Sequence, residues 1–157
     1  MIKALILDVD GVLTDGTITY DIFGRELKSF NVKDGYGIVR ALNTGIEVIL
    51  ISGRFSSIVE KRFRELGVTR IYQGVSDKLS LYQEVKRELS LNDAQIAAMG
   101  DDLPDLPLLK RVGVSGAPKD AVPEVKVAVN FVSRYPGGKG AVREFIDYLI
   151  KEHVDET

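Results

Sequence analysis

Ile2-Lys-Ala-Leu-Ile-Leu-Asp8-Val-Asp10-Gly-Val-Leu-Thr-Asp-Gly16 decides how this chain is read. The unbroken apolar run at its start, Lys3–Leu7, marks a strand buried on both faces, as in a parallel sheet. It ends at once in two carboxylates, Asp8 and Asp10. Alternate residues of an extended chain point to opposite sides, so the pair shares a site only if the strand stops there. Gly11 supplies the backbone freedom for such a turn. Taken alone, Asp-x-Asp-Gly fits a solvated turn as well as a catalytic pair.

Five further runs, Glu47–Ile51, Arg70–Tyr72, Ile96–Met99, Gly113–Ser115 and Val127–Val129, also read as strands. Between them, Gly35–Asn43, Ser56–Leu66, Lys78–Leu89 and Asp105–Lys110 carry apolar residues at helical spacing, with Gly45 and Gly67 as stop signals. A last helix is expected over about 141–151. This alternation predicts an α/β fold: a Rossmann-like three-layer α/β/α sandwich with a mostly parallel sheet, in one domain spanning residues 1–157. Connections should be right-handed, and ligands should sit at the carboxyl ends of the strands. One segment breaks the pattern. Thr17–Tyr20 and Glu26–Phe30 flank a short glycine-containing loop and read as a β-hairpin inserted after the first strand, over about 17–30. It is either an edge decoration or a wall of the site.

Composition narrows the chemistry. The 157 residues are 45% hydrophobic and 28% charged, which is ordinary globular usage. There is no cysteine, which excludes thiolate metal sites and a cysteine nucleophile, and the lone His153 makes a histidine-based site implausible. A net charge of −2 gives no pull toward nucleic acid. The apolar run at the N-terminus is too short for a signal core or a membrane span, so a cytoplasmic protein without membrane contact is expected.

Other strand ends complete the constellation. The second strand runs into Ser52-Gly-Arg54, the fourth into Gly100-Asp-Asp-Leu-Pro-Asp105, and Lys78 opens the helix after the third. Carboxylates without histidine or cysteine suit a hard cation, and Mg2+ is the usual one beside phosphate. A phosphomonoester dianion repels a carboxylate nucleophile. A bridging Mg2+ and a lysine on the phosphate oxygens remove that repulsion. Attack by a carboxylate then gives an aspartyl-phosphate, and a second carboxylate can handle the protons.

In order and context, Asp8-Val-Asp10-Gly-Val, Ser52, Lys78 and Gly100-Asp101-Asp102 resemble the four motifs of the haloacid dehalogenase-like phosphatases. More narrowly, Asp8–Gly16, Phe30-Asn-Val-Lys-Asp-Gly35, Ser52-Gly-Arg54, Gly100–Asp105 and Gly137-Gly-Lys-Gly-Ala-Val-Arg-Glu144 resemble a branch acting on 3-deoxy-D-manno-octulosonate 8-phosphate, a precursor of lipopolysaccharide. The resemblance covers residues 2 to about 149. It implies Asp8 as nucleophile, Asp10 as general acid/base, and Ser52 and Lys78 on the phosphate. The implied Mg2+ ligands are the Asp8 carboxylate, the Asp10 carbonyl and Asp101, with Asp102 in support. Asp105 either orients a metal-bound water or is a helix-terminal charge. For the substrate, a small anionic sugar phosphate, the resemblance implies Asp10, Asn31, Val32, Lys33, Asp34, Gly35, Arg54, Arg62 and Lys78. Arg62 also reads as an exposed helix charge.

Some relatives carry a basic residue where this chain has Val39, with Arg40 next door. That departure leaves a related sugar-acid phosphate, such as a nonulosonate 9-phosphate, as an alternative substrate. No cap domain fits between the motifs, so the resemblance implies a homotetramer that covers the site by associating its hairpins and extending its C-terminal segment, about 138–157. Gly137-Gly-Lys-Gly140 reads as a flexible lead-in to the last helix. Two other functional classes are weighed against this one. A phospho-acceptor receiver module places its aspartate after a middle strand, and a silent binding module does not need the catalytic set.

Overall fold

In the computed structural model, which describes residues 1–154, the strands β1 (Ala4–Leu7), β4 (Glu47–Ile51), β5 (Arg70–Tyr72), β6 (Ile96–Met99), β7 (Val114–Ala117) and β8 (Phe131–Val132) form one sheet. Its spatial order is β5-β4-β1-β6-β7-β8, and every neighbouring pair is parallel. The chain builds outward from β1 to β5, then returns to the other side of β1 for β6. The reversal between β1 and β6 opens a crevice at their carboxyl ends, where ligands bind in such sheets.

Alternation in the strands divides the core. Leu5 and Leu7 of β1 face one side with Val48 and Leu50 of β4, packing under α1 (Val32–Asn43), α2 (Ser57–Glu65) and α6 (Ala141–His153). Ala4 and Ile6 face the other side with Ile49 and Ile51, under α3 (Lys78–Glu88), α4 (Leu106–Leu109) and α5 (Pro123–Ala128). Each fully buried Leu, Ile or Val contributes roughly 1.5–3 kcal/mol, so β1 is locked at the centre by both layers. The expected hairpin is present as β2 (Thr19–Tyr20) and β3 (Glu26–Leu27), paired antiparallel. Among the described residues no helix is long and apolar enough to cross a membrane.

The structure corrects several boundaries. Val127–Val129 is not a strand: residues 127 and 128 belong to α5, and the edge strand lies further on, where Phe131 pairs with Gly116. Pro123 presets the first helical turn, and a helical register then buries Val125 while leaving Val127 85% exposed. The helix expected from Gly35 begins at Val32, because the Asn31 side chain accepts from the Lys33 and Asp34 amides and caps it. Gly137-Gly-Lys-Gly140 is not a flexible lead-in. Gly138 N donates to the Val12 carbonyl at 3.0 Å, and Gly137 N to Asp120 Oδ1 at 3.0 Å. A Cβ on Gly137 would overlap the Gly11 carbonyl, so these glycines clamp the Asp8–Gly16 loop by direct backbone contact. Residues 155–157 of the expected tail lie outside the described residues.

Asp34 explains how α6 begins without a cap of its own. Its N-cap position is Gly140, which has no side chain to offer. Asp34 Oδ1, from the first turn of α1, accepts instead from Arg143 N at 3.0 Å. Burial pushes the Asp34 carboxyl up from its usual range, opposed by the amides of Arg143 and Gly140. Loss of a cap costs about 1 kcal/mol. Asp34→Ala should therefore lower unfolding stability by that amount in urea titrations. Asp34→Asn, which keeps the acceptor without the buried charge, should stay close to wild type.

Candidate active site

β1 ends where its backbone last pairs with β6, Asp8 N donating to the Met99 carbonyl at 3.2 Å. The chain then wraps into a turn on the Val9 carbonyl, with Gly11 at φ 85°, a conformation that suits glycine. Thr14 Oγ1 accepts from Gly11 N and Gly16 N and ties the loop to itself. Asp8 N and the Asp8 side chain are thereby held at the mouth of the crevice, its Oδ1 accepting from Val9 N at 2.8 Å.

Three carboxylates meet there. One oxygen each of Asp8, Asp101 and Asp105 lies within 4.8 Å of the others. Lys78, at the start of α3, places Nζ 2.7 Å from Asp105 Oδ1 and 3.2 Å from Asp8 Oδ1. Asp105 Oδ2 accepts from the amides of Asp101 at 3.0 Å and Asp102 at 3.3 Å. Asp105 is thus both a helix-terminal acceptor and a member of the cluster. Ser52, buried at the end of β4, completes the floor, and its Oγ accepts from Arg54 N. These residues line an open cleft of about 830 Å³ together with Asp10, Arg54 and Ser76.

Electrostatics follow from crowding. Burial and then the Asp105 charge raise the Asp8 carboxyl well above its ordinary value, against the pull of Lys78. Burial and the Asp105 charge likewise raise Asp101, from 3.8 to about 7. Burial alone would lower Lys78, but the Asp8 and Asp105 carboxylates outweigh it and hold the ammonium above its ordinary value.

Residues 67–146 match the model of the haloacid dehalogenase-like hydrolases. The chain is 48% identical to 3-deoxy-D-manno-octulosonate 8-phosphate phosphatase KdsC of Escherichia coli K12 over 149 residues, 95% of this chain and 79% of that one. The crystal structure of the Yersinia pestis enzyme of that name superposes with a TM-score of 0.93 at 45% identity, covering 96% of this chain and 81% of that one. The Moraxella catarrhalis enzyme, solved with a magnesium ion, a phosphate ion and a KDO molecule, gives 0.93 at 36% identity over 96% and 86%. This chain belongs to the haloacid dehalogenase-like hydrolases.

A hydrolase of this family needs a cation site, and the residues present fit one. Three oxygen donors gather around a single ammonium, and burial followed by the neighbouring Asp105 charge raises the carboxyls of Asp8 and Asp101 despite it, a donor set that suits a hard cation. A Cβ on Gly11 would overlap the Asp101 carboxylate, so the Asp8–Gly16 loop and Asp101 approach as closely as a shared ligand requires. Asp102 does not join them. It is exposed and accepts from Leu103 N at 2.7 Å, capping the short turn at 103–105. Asp105, not Asp102, stands with Asp8 and Asp101 in the carboxylate cluster.

The substrate candidates divide into two groups. Arg54 lines the cleft. Arg62 instead lies against Gly35, in a small crevice with Asn31 and Asp34 whose lining residues do not border the Asp8 cleft. Val32 and Lys33 are exposed on the first turn of α1, and the Asp34 carboxylate is turned to α6. Arg40, beside Val39, pairs with Asp147 at 2.7 Å on the outer surface. Sequence reasoning missed Lys28, whose Nζ is 2.6 Å from Asp10 Oδ1, and Glu26, which binds Arg54 at 2.7 Å. The signal was available in the extended stretch that begins with β3, where Glu26 and Lys28 share one face.

A carboxyl raised in the folded state ionises later than in the unfolded chain, so the unfolded chain binds fewer protons between the two values. For Asp101 this makes metal-free stability fall as pH rises from about 4 to about 7. Melting curves of Asp101→Asn should lose that part of the fall. Added Mg2+ should raise the wild-type Tm more at about pH 8 than at about pH 5, since the cation binds ionised carboxylates.

Proposed function

We propose that the chain is a Mg2+-dependent phosphomonoesterase that converts 3-deoxy-D-manno-octulosonate 8-phosphate to the free sugar acid and phosphate. The observation that carries this reading is the meeting of Asp8, Asp101, Asp105 and Lys78 within one cleft. Its substrate comes from the relatives of that name. The receiver alternative fits less well. Receivers follow the flavodoxin-like order 2-1-3-4-5, whereas the main-sheet strands here, counted in chain order, lie 3-2-1-4-5-6, with the candidate nucleophile after the first of them.

Asp8, Asp101 and the Asp10 carbonyl would hold Mg2+, with Asp105 behind them. Bound there, the cation offsets the repulsion between the Asp8 carboxylate and the phosphate dianion. Ser52 and Lys78 grip the phosphoryl oxygens, Lys78 as a fixed point charge. Asp8 attacks phosphorus and becomes an aspartyl-phosphate as the sugar oxygen leaves. Asp10 gives that oxygen a proton, then takes one from the water that cleaves the intermediate. Arg54, at the cleft's edge, suits the sugar-acid carboxylate.

Asp8→Asn should lower kcat by roughly 10³-fold or more while leaving the fold intact by circular dichroism. Phosphate release near the wild-type rate would overturn the nucleophile assignment. A panel of sugar-acid phosphates, including a nonulosonate 9-phosphate, ranked by kcat/KM with and without Mg2+, tests the substrate.

We also infer a homotetramer acting in the cytoplasm, a setting that the cysteine-free composition suits. Self-association is supported by the hairpin, which exposes Ile18, Tyr20, Ile22, Phe23 and Leu27, with Ile22 93% exposed. Val32 and Lys33 are exposed outside the chain's own cleft, as groups serving a neighbouring copy would be. Light scattering should give a tetramer, and Ile22→Asp with Phe23→Asp should dissociate it and lower kcat/KM. A fully active monomer would reject the assembly.

A further inference from the structure

Lys28 and Glu26 take no part in the chemistry above, yet the hairpin aims both at it. Lys28 immediately follows β3, and its side chain is only 3% exposed. Its Nζ lies 2.6 Å from Asp10 Oδ1 and 3.4 Å from Glu26 Oε1. Glu26 Oε1 also accepts from Arg54 Nη1 at 2.7 Å, which keeps that guanidinium 4.0 Å from Asp10. Lys28 is therefore the cation in direct contact with the Asp10 carboxylate. Burying an ammonium is costly unless carboxylates pair it closely. Here the hairpin positions it against a single oxygen of the proposed acid/base.

We propose that Lys28 is a positioning residue that fixes the Asp10 carboxyl so that Oδ2 transfers the proton to the leaving sugar oxygen. This rests on the reading of Asp10 as general acid/base. An ammonium only donates, so Oδ1 is held as the acceptor of a charge-assisted bond and the proton sits more stably on the free oxygen, Oδ2. The charge-assisted contact is short and directional, and it holds the carboxyl plane as well as choosing the oxygen. Among the described residues no protein donor contacts Oδ2, which is left for the substrate. In the first half-reaction the Asp8–phosphorus bond forms and the phosphorus–sugar oxygen bond breaks. The electron pair passes to the sugar oxygen, and Asp10 Oδ2 gives that oxygen its proton. A carboxyl free to rotate would be in position for only part of the time, and small misplacements of a catalytic group cost up to about 10²-fold.

The test separates orientation from packing by changing the leaving group. A sugar alkoxide needs the proton from Asp10, whereas the phenolate of p-nitrophenyl phosphate leaves without one. Measured as kcat/KM with Mg2+ on the full chain, only the first half-reaction is compared. Lys28→Met should lower the value for the sugar phosphate roughly 10- to 100-fold. The loss for p-nitrophenyl phosphate should be much smaller. Lys28→Gln, also without the ammonium but still polar, should show the same split if the Met variant folds poorly. Equal losses on both substrates, or no loss on either, would overturn the proposal. Asp10→Asn serves as the reference. If it splits the substrates and the Lys28 variants do not, the positioning role fails alone. If Asp10→Asn does not split them, the acid/base reading fails and takes the proposal with it.

Discussion

Crowding of like charge at the boundary between β1 and β6 is the constraint on which the rest of the structure depends. Asp8, Asp101 and Asp105 approach within 4.8 Å, and one ammonium lies among them. Such an arrangement relaxes unless every member is held from behind. The sheet supplies that restraint: Asp8 and Asp101 each follow a strand whose residues are wholly buried. The amides of Asp101 and Asp102 grip Asp105, and α3 begins just where Lys78 must stand. The glycine pair 137–138 presses on the opposite side of the loop, its amides donating to the Asp120 carboxylate and the Val12 carbonyl. A rigid apolar sheet thus serves to hold together groups that would otherwise separate.

The hairpin obeys a different logic, set by the period of two in an extended chain. Glu26 and Lys28 turn toward the cleft, and Leu27 between them is left exposed. One short segment therefore builds a polar wall on one side and an apolar face on the other. Its tip is shaped locally, since Asp21 accepts from the amides of Phe23 and Arg25. The apolar face does not contribute to shaping that turn, which fits a role in contact with another copy.

How much of this was legible in the sequence follows from how local each determinant is. Asp8, Ser52 and Asp101 were readable because the first two directly follow an unbroken apolar run and Asp101 follows one after a single glycine, and the parallel sheet then brings such positions to one edge. Lys78 was readable as the residue that opens a helix. The edge strand was not: Val127 and Val129 have the composition of a strand, but Pro123 commits the preceding turn to a helix and moves the pairing to Phe131. Choosing between Asp102 and Asp105 was equally out of reach. Two residues of turn separate them, and only the fold of that turn sends Asp105 inward and leaves Asp102 as a cap. Asp34 and Gly137 owe their roles to partners about a hundred residues away or more, Arg143 and Gly11, so no local pattern could reveal them.

Charge in the cleft divides into two parts with different balances. Asp10, Glu26, Lys28 and Arg54 are two carboxylates facing two cations, all joined by contacts of 4.0 Å or less, so this wall compensates itself. The other part carries an excess: three clustered carboxylates share Lys78 and leave a formal charge of −2, with Asp77 and Asp102 adding to it on the cleft's lining. Raising the carboxyls of Asp8 and Asp101 relieves that excess by retaining protons, and a divalent cation relieves it without them. The separation has a consequence for an anionic substrate. On the proposed reading, its phosphate would meet the part that a cation completes, while its sugar acid would pass a wall with no net charge to repel it. Arg54, the more exposed of that wall's two cations at 38% against 3% for Lys28, is the one free to turn from Glu26 toward an incoming carboxylate.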